Sequence, residues 1–217
     1  MMTKILSPSM MCADYGCLRE EIKKLEEAGA SRFHIDIMDG IYVPNFGMGL
    51  QDTEFICKTT TVPVEVHLMI QNPVNYIEKF ILLGADIIFI HPEADIHPVR
   101  TLLEIKKLGA VPGIAVNPGT SLACIKELLY YIGSILVMTV NPGFAGQKFL
   151  ESVSDKVDCL SELKKDLDFE IMIDGACSPE IIKNLWKKGA DGFVLGTSAL
   201  FNKEETYTKI MEKLLEL

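Results

Sequence analysis

The feature that most constrains this chain is a repeat. Eight short apolar runs recur along it: Ile5–Ser9, Phe33–Ile37, Val62–Leu68, Ile87–Ile90, Val111–Val116, Ile135–Val140, Phe169–Ile173 and Gly192–Leu195. Each is rich in Ile and Val and apolar on both faces until near its end, as in a strand buried within a parallel sheet. Amphipathic stretches separate the runs. Leu18, Ile22, Leu25 and Ala28 recur at helical spacing, and Gly29 closes that segment. In the last stretch Tyr207, Ile210, Met211, Leu214 and Leu215 share a helical face, with Asn202 as the expected cap and Glu204 and Glu205 in the first turn.

A Gly-Ala pair marks four helix-to-strand junctions: Gly29-Ala30, Gly84-Ala85, Gly109-Ala110 and Gly189-Ala190. Glycine ends a helix in a left-handed conformation and the chain turns directly into the next strand. Eight such βα units in 217 residues are about 27 residues each, near the lower limit for an α/β chain closed into a (β/α)8 TIM barrel. An open doubly wound sheet is the competing architecture, and eight evenly spaced units suit closure better than a sheet with two edges. No linker or composition shift divides the chain, so one domain over residues 1–217 is expected.

Composition excludes several classes of partner. Hydrophobic residues make up 48% and charged residues 24%, too apolar a balance for general disorder. The net charge is −9 with no run of basic residues, which argues against nucleic acid and anionic membranes as partners. An anionic substrate must therefore be held locally. None of the six cysteines forms a Cys-x-x-Cys pair, no apolar stretch is long enough to span a membrane, and the first twenty residues do not read as a signal peptide. These features lead to the expectation of a cytoplasmic protein with free thiols.

In such a barrel the active site lies at the C-terminal strand ends. In His34-Ile35-Asp36-Ile37-Met38, alternation puts His34, Asp36 and Met38 on one face and leaves the two isoleucines for the helix layer. The same count places His67 and Met69 of the third run inward, and Asp174 of the seventh. A structural His–Asp pair in a metal-free core is the competing reading of each alone. Together, two histidines and two aspartates converge on one rim, and burying two unpartnered carboxylates is costly. One divalent ion per chain removes that cost, and mixed nitrogen and oxygen ligands suit Zn²⁺, Fe²⁺, Mn²⁺ or Co²⁺.

The sixth, seventh and eighth runs lead into Asn141-Pro142-Gly143-Phe144-Ala145-Gly146-Gln147, Gly175-Ala176-Cys177-Ser178 and Gly196-Thr197-Ser198. Gly-rich loops that open helices after the last strands present backbone N–H groups to a phosphate. None of these loops contains Lys or Arg, so main-chain donors would carry the grip; the plainer reading is that the glycines only make tight turns. Met38, Met69 and Met138 stand at strand ends, where thioethers either fill core gaps or wall the site without adding an acid or base.

A Lewis-acid metal, two carboxylates and a phosphate grip, with no Gly-x-Ser-x-Gly elbow and no inward Schiff-base lysine, suit proton removal and return beside a ketone. Carboxylates on opposite faces of the substrate would make the outcome an epimerisation. No organic cofactor is called for.

The sequence also resembles the ribulose-phosphate 3-epimerases nearly end to end. The resemblance is carried by Ser7-Pro8-Ser9, by His34 to Gly40 with Val43-Pro44-Asn45, by Val66-His67-Leu68-Met69, by Asn141-Pro142-Gly143-Phe144 with Gly146-Gln147, and by Asp174-Gly175. It implies that His34, Asp36, His67 and Asp174 bind the metal, and that Asp36 and Asp174 are also the acid–base pair. It further implies that Ser9 and His67 touch a ketose-phosphate substrate. Gly143, Phe144, Ala145 and Gly146, then Gly175 and Ala176, then Gly196 and Thr197 would hold its phosphate.

Some positions depart from the ribulose 5-phosphate pattern. Ile41 stands where the family often has His, Ala145 and Ala176 replace glycines, and Thr197 stands where Ser is common. Met138-Thr139-Val140, Phe144-Ala145-Gly146, Asp174 to Cys177 and Gly196 to Phe201 look more like the branch acting on D-allulose 6-phosphate. The resemblance therefore implies conversion of D-allulose 6-phosphate to D-fructose 6-phosphate, with ribulose 5-phosphate epimerisation as the alternative. Barrel decarboxylases carry Asp-x-Lys-x-x-Asp on one strand, and Ile37 and Met38 follow Asp36 here. A non-catalytic sugar-phosphate-binding barrel is the remaining rival. The oligomeric state is open.

Overall fold

The computed structural model describes residues 3–217. Its strands are β1 (Ile5–Pro8), β2 (Phe33–Met38), β3 (Val64–Met69), β4 (Ile87–Ile90), β5 (Val111–Val116), β6 (Ser134–Met138), β7 (Glu170–Asp174) and β8 (Gly192–Leu195). Its helices are α1 (Leu18–Glu27), α2 (Leu50–Thr59), α3 (Ile77–Leu82), α4 (Pro98–Lys107), α5 (Leu122–Ile125), α6 (Ser154–Leu163), α7 (Pro179–Lys187) and α8 (Tyr207–Glu216). The strands are all parallel, in the order β1-β8-β7-β6-β5-β4-β3-β2. A parallel bridge between Ser9 and His34 joins the two ends of that order, so the sheet closes on itself as a TIM barrel.

The four Gly-Ala junctions work as the repeat implies. Their glycines have φ between +94° and +109°. The amide of the following alanine reaches back over the last helical turn, Ala30 to Leu25 and Ala190 to Leu185 among them, and satisfies an open helix carbonyl. The end of the chain differs from expectation. Asn202 has φ +58°, a left-handed turn conformation rather than the extended one of an N-cap. The helix starts later, at Tyr207, with Thr206 before it, and Glu204 and Glu205 lie ahead of its first turn. β3 also starts later than its apolar run, beyond Pro63, which has no N–H for the ladder.

Alternation along each strand sends one set of side chains to the helices and the other into the barrel. Leu6, Ile35, Val66, Ile88, Ile114 and Ile135 belong to the outer core beneath the helices. Phe89, Ala115, Leu136, Met138, Met172 and Val194 fill the interior. Gly113 makes room for the Phe89 ring, since a Cβ there would lie 2.4 Å from it. Ser7, His34 and Glu65 take inward positions on β1–β3 and bond to one another instead of packing as hydrocarbon. Among the described residues no helix is long and apolar enough to cross a membrane, and all six cysteines are unbridged.

Candidate active site

Four of the expected residues meet at the C-terminal end of the barrel. One ligand-type atom from each of His34, Asp36, His67 and Asp174 lies within 4.8 Å of the others. His34 Nε2 and His67 Nδ1 are each 3.4 Å from Asp36 Oδ1, and stand 4.0 and 3.6 Å from Asp174 Oδ2. Four donors about 2.1 Å from a tetrahedral ion are about 3.4 Å apart, so the spacing fits a first-row divalent metal. Both of these ring nitrogens are buried without a hydrogen-bond partner. Such atoms are costly to leave bare, and a cation would use their lone pairs.

The opposite side of each imidazole is engaged. His34 Nδ1 is 2.8 Å from Glu65 Oε1, which also accepts from Ser7 Oγ at 2.8 Å, while Arg32 lies 3.6 Å from the other carboxylate oxygen. His67 Nε2 is 2.8 Å from His91 Nε2. Asp36 accepts from Ser9 Oγ at 2.7 Å through Oδ2, leaving Oδ1 for the two imidazoles. The strand geometry accounts for these contacts, because Ser9 and His34 are bridged and Asp36 is in register with His67.

The electrostatics of the two carboxylates differ. Burial opposes ionisation of Asp36, but His34 and His67 outweigh it and hold its pKa well below the usual carboxylate range. Burial and the neighbouring Asp36 charge raise the pKa of Asp174. Burial alone would lower the His34 pKa; Asp36 and Glu65 turn it well upward. His91, buried and beside His67, is pushed well below the ordinary histidine value.

A cavity opens above this cluster. Ser9, Asp36, Asp174 and Met138 line its floor and sides, with Met11 and Cys12. Phe144, Ala145, Gly146, Gly175, Ala176, Gly196 and Thr197 line it too, so the three loops converge as expected. Among the described residues, the amides of Phe144, Ala145, Gly146, Gly175, Ala176 and Gly196 donate to no backbone carbonyl. Only the second loop leads directly into a regular helix, α7, capped by Ser178. The first loop reaches α6 through coil and a short turn, and the third makes a single turn in which Leu200 N bonds Gly196 O. Free turn amides, rather than three helix termini, are therefore what these loops offer an anion. Ala176 has φ +47°, keeping the left-handed backbone that suits glycine.

Four expected positions sit differently: His67, expected to touch the substrate, is fully buried and does not line the cavity, and Gly143, Met38 and Met69 also lie off it. Gly143 is off the cavity lining; its carbonyl accepts from Asn45 Nδ2 at 2.7 Å and ties this loop to the one after β2. Met38 and Met69 pack with Val43 beside Met11 and Tyr42, behind the cavity surface, so of the three methionines only Met138 faces the cavity. Ile41 is exposed at the rim and does not line the cavity.

The family model described as "Ribulose-phosphate 3 epimerase family" matches residues 5–201. The chain belongs to the ribulose-phosphate 3-epimerase family. It is 40% identical over 215 residues to the ribulose-phosphate 3-epimerase of Aquifex aeolicus, covering 98% of this chain and 97% of that one. The corresponding protein of Methanocaldococcus jannaschii is 41% identical over 207 residues, covering 94% and 87%. Among solved structures, a mutant tryptophan synthase alpha-subunit from Pyrococcus furiosus superposes with a TM-score of 0.71 over the whole of both chains at 14% identity, a likeness of fold alone. This ribulose-phosphate 3-epimerase family member is thus an isomerase that epimerises a sugar phosphate.

The strand-end pattern alone assigns no role to Glu65, His91 or Cys12 in this epimerase. The signal for the first two was present: Glu65 shares the inward face of β3 with His67, and His91 follows inward Phe89 by two residues. Cys12 lines the cavity, but burial and the charge of Asp36 raise its pKa and keep it a thiol, a poor nucleophile.

Proposed function

We propose that the chain works as one barrel domain that inverts carbon 3 of a ketose phosphate, with Asp36 and Asp174 as the acid–base pair and one divalent ion held by His34, Asp36, His67 and Asp174. The observation that carries this reading is the pair of buried, unpartnered imidazole nitrogens facing two carboxylates at one strand-end rim. When bound, the ion would supply Lewis acidity beside the ketone next to carbon 3.

The rest falls to side chains and loop amides. Free amides of Gly146, Gly175 and Gly196 bind the phosphate and fix the sugar's reach into the cavity. Ser9 holds Asp36 in one orientation through their 2.7 Å hydrogen bond. Inversion needs one carboxylate ionised as base and the other protonated as acid at the start, and in the metal-free cluster the two sites already differ, with Asp36 held low by its histidines and Asp174 raised by burial. Proton removal on one face and return on the other inverts the centre, and the roles exchange in the reverse direction.

Two substrates share this chemistry and differ by one carbon between ketone and phosphate. D-ribulose 5-phosphate is favoured by the activity in the names of the relatives, some 40% identical across almost their full lengths. D-allulose 6-phosphate is favoured by the resemblance of the cavity segments around Met138, Ala145, Ala176 and Thr197 to that branch of the family. Steady-state kcat/KM for both sugars, measured side by side on Co²⁺- or Zn²⁺-loaded protein, ranks them. Turnover of neither overturns the epimerase reading, and full activity after verified metal removal overturns the metal's part in it.

A further inference from the structure

We propose that His91 is a positioning residue that sets the tautomer of His67 and thereby decides whether His67 can serve as a ligand. The inference rests on reading the His34–Asp36–His67–Asp174 cluster as a metal site. His91 is the first residue after β4 and is fully buried. Its ring lies 5.0 Å from that of His67 and 4.8 Å from that of Tyr42, centroid to centroid.

The 2.8 Å contact joins Nε2 of His67 to Nε2 of His91, so one nitrogen carries the hydrogen and the other the lone pair. His67 Nδ1 faces Asp36 and Asp174, and to bind a cation it must present a lone pair there. The hydrogen of neutral His67 then sits on Nε2. His91 Nε2 must accept it, which puts the hydrogen of His91 on Nδ1, a buried atom that has no hydrogen-bond partner in either direction of the bond. With the direction reversed, His91 donates, the His67 hydrogen moves to Nδ1, and the lone pair faces away from the cluster.

His34 needs no such arrangement. Its Nδ1 faces the carboxylate of Glu65, which when ionised can only accept. His67 has no carboxylate on that side, and the neutral ring of His91 takes the acceptor's place. The Tyr42 ring that covers His91 is itself anchored: its hydroxyl accepts from Asn117 Nδ2 at 2.8 Å, and the Asn117 carbonyl accepts from Lys156 Nζ at 2.7 Å.

The test measures Co²⁺ affinity by competition with a chelator for the wild type, His91→Phe and His91→Gln. Phe keeps a ring but accepts nothing, whereas Gln offers an acceptor oxygen. His91→Phe should weaken Co²⁺ binding roughly 10–100-fold, the usual cost of losing a ligand's outer partner, and His91→Gln should recover most of it. Equal affinity in all three proteins, or equal loss in both variants, overturns the proposal. A wild type that takes up no Co²⁺ overturns the metal reading itself, which separates the two failures. Nitrogen-15 NMR of Zn²⁺-loaded wild type needs no variant to fold. It should show His91 neutral with its hydrogen on Nδ1 and a through-bond coupling between the two Nε2 atoms; a hydrogen on His91 Nε2 overturns the proposal.

Discussion

Ser9 donates its hydroxyl hydrogen to Oδ2 of Asp36 across 2.7 Å, and this bond crosses the seam where β1 meets β2. One oxygen of Asp36 is thereby occupied, and the other is aimed at His34 and His67. Ser9→Ala should leave the fold intact and lower kcat/KM roughly 10–100-fold, because the carboxylate loses the partner that orients it. Steady-state kinetics beside a thermal melt check both halves; unchanged kinetics would show that Asp36 needs no such support.

Asp36→Asn and Asp174→Asn should each reduce turnover by at least about 10²–10⁴-fold, the range for losing a general acid or base. Metal content must be measured in both variants, since each aspartate is also a proposed ligand. Solvent-deuterium exchange at carbon 3 separates the roles. A variant that binds metal normally and still interconverts both epimers at near the wild-type rate would rule out the two-carboxylate scheme.

The metal-free chain should lose stability as pH rises. His34 has a raised folded pKa, so its stabilising charge is fully present below the ordinary histidine value and disappears as pH climbs through the raised one. The raised pKa of Asp174 acts in the same sense, because its ionisation is resisted in the fold. Asp36, depressed, contributes above the ordinary carboxylate pKa and fails only in acid. Buried His91, depressed, opposes this fall below the ordinary histidine value, so melting temperature should fall as pH climbs above that value, and the fall should shrink in His34→Gln. Zn²⁺ should reverse the trend, since ligands bind metal in their deprotonated forms. A flat profile in metal-free wild type would contradict the charge assignments.

Ala176→Gly should stabilise the protein by about 0.5–1 kcal/mol. A non-glycine residue in a left-handed conformation costs roughly 1–2 kcal/mol, and the extra freedom that glycine gives the unfolded chain takes back about 0.4–1 kcal/mol. Ala176 has φ +47°. Denaturant titration of the pair checks the sign.

Gly196→Val should raise KM without a matching loss of stability. Gly196 does not have a positive φ, and a Cβ there would find only Cys12 Sγ, at 3.8 Å, so the side chain grows into the cavity rather than into the protein. At Gly175 the added carbon would instead strike Val140 at 2.6 Å, and the fold itself would be hit. A larger effect on KM from a distant Lys→Ala change than from Gly196→Val would show that charge, not loop amides, holds the phosphate.

Residues governed by strand alternation are legible in the sequence itself. His34, Asp36, His67 and Asp174 lie on inward positions because a pleat of period two admits one answer once the outward isoleucines are assigned. The Gly-Ala junctions are legible for a similar reason, since few residues but glycine stop a helix in that way. Glu65 and His91 obey the same alternation, but their importance depends on which atom of a neighbouring ring they meet, and spacing does not encode that. Asn202 misleads because a residue suited to capping is equally suited to a left-handed turn. Met38 and Met69 point inward as counted, yet the loop after β2 folds over them, a long-range event that strand counting does not reach.

The proposed metal-binding residues belong to β2, β3 and β7, whereas all of the proposed phosphate contacts lie on loops beyond β6, β7 and β8. Altering a strand position disturbs neighbours on both sides of a close-packed wall, while loop positions at the mouth have slack. The proton chemistry is therefore the harder part of such a barrel to alter, and the reach from ketone to phosphate the easier. Lineages can explore new ketose phosphates by rewriting a few residues at the rim, with the proton chemistry beneath left untouched.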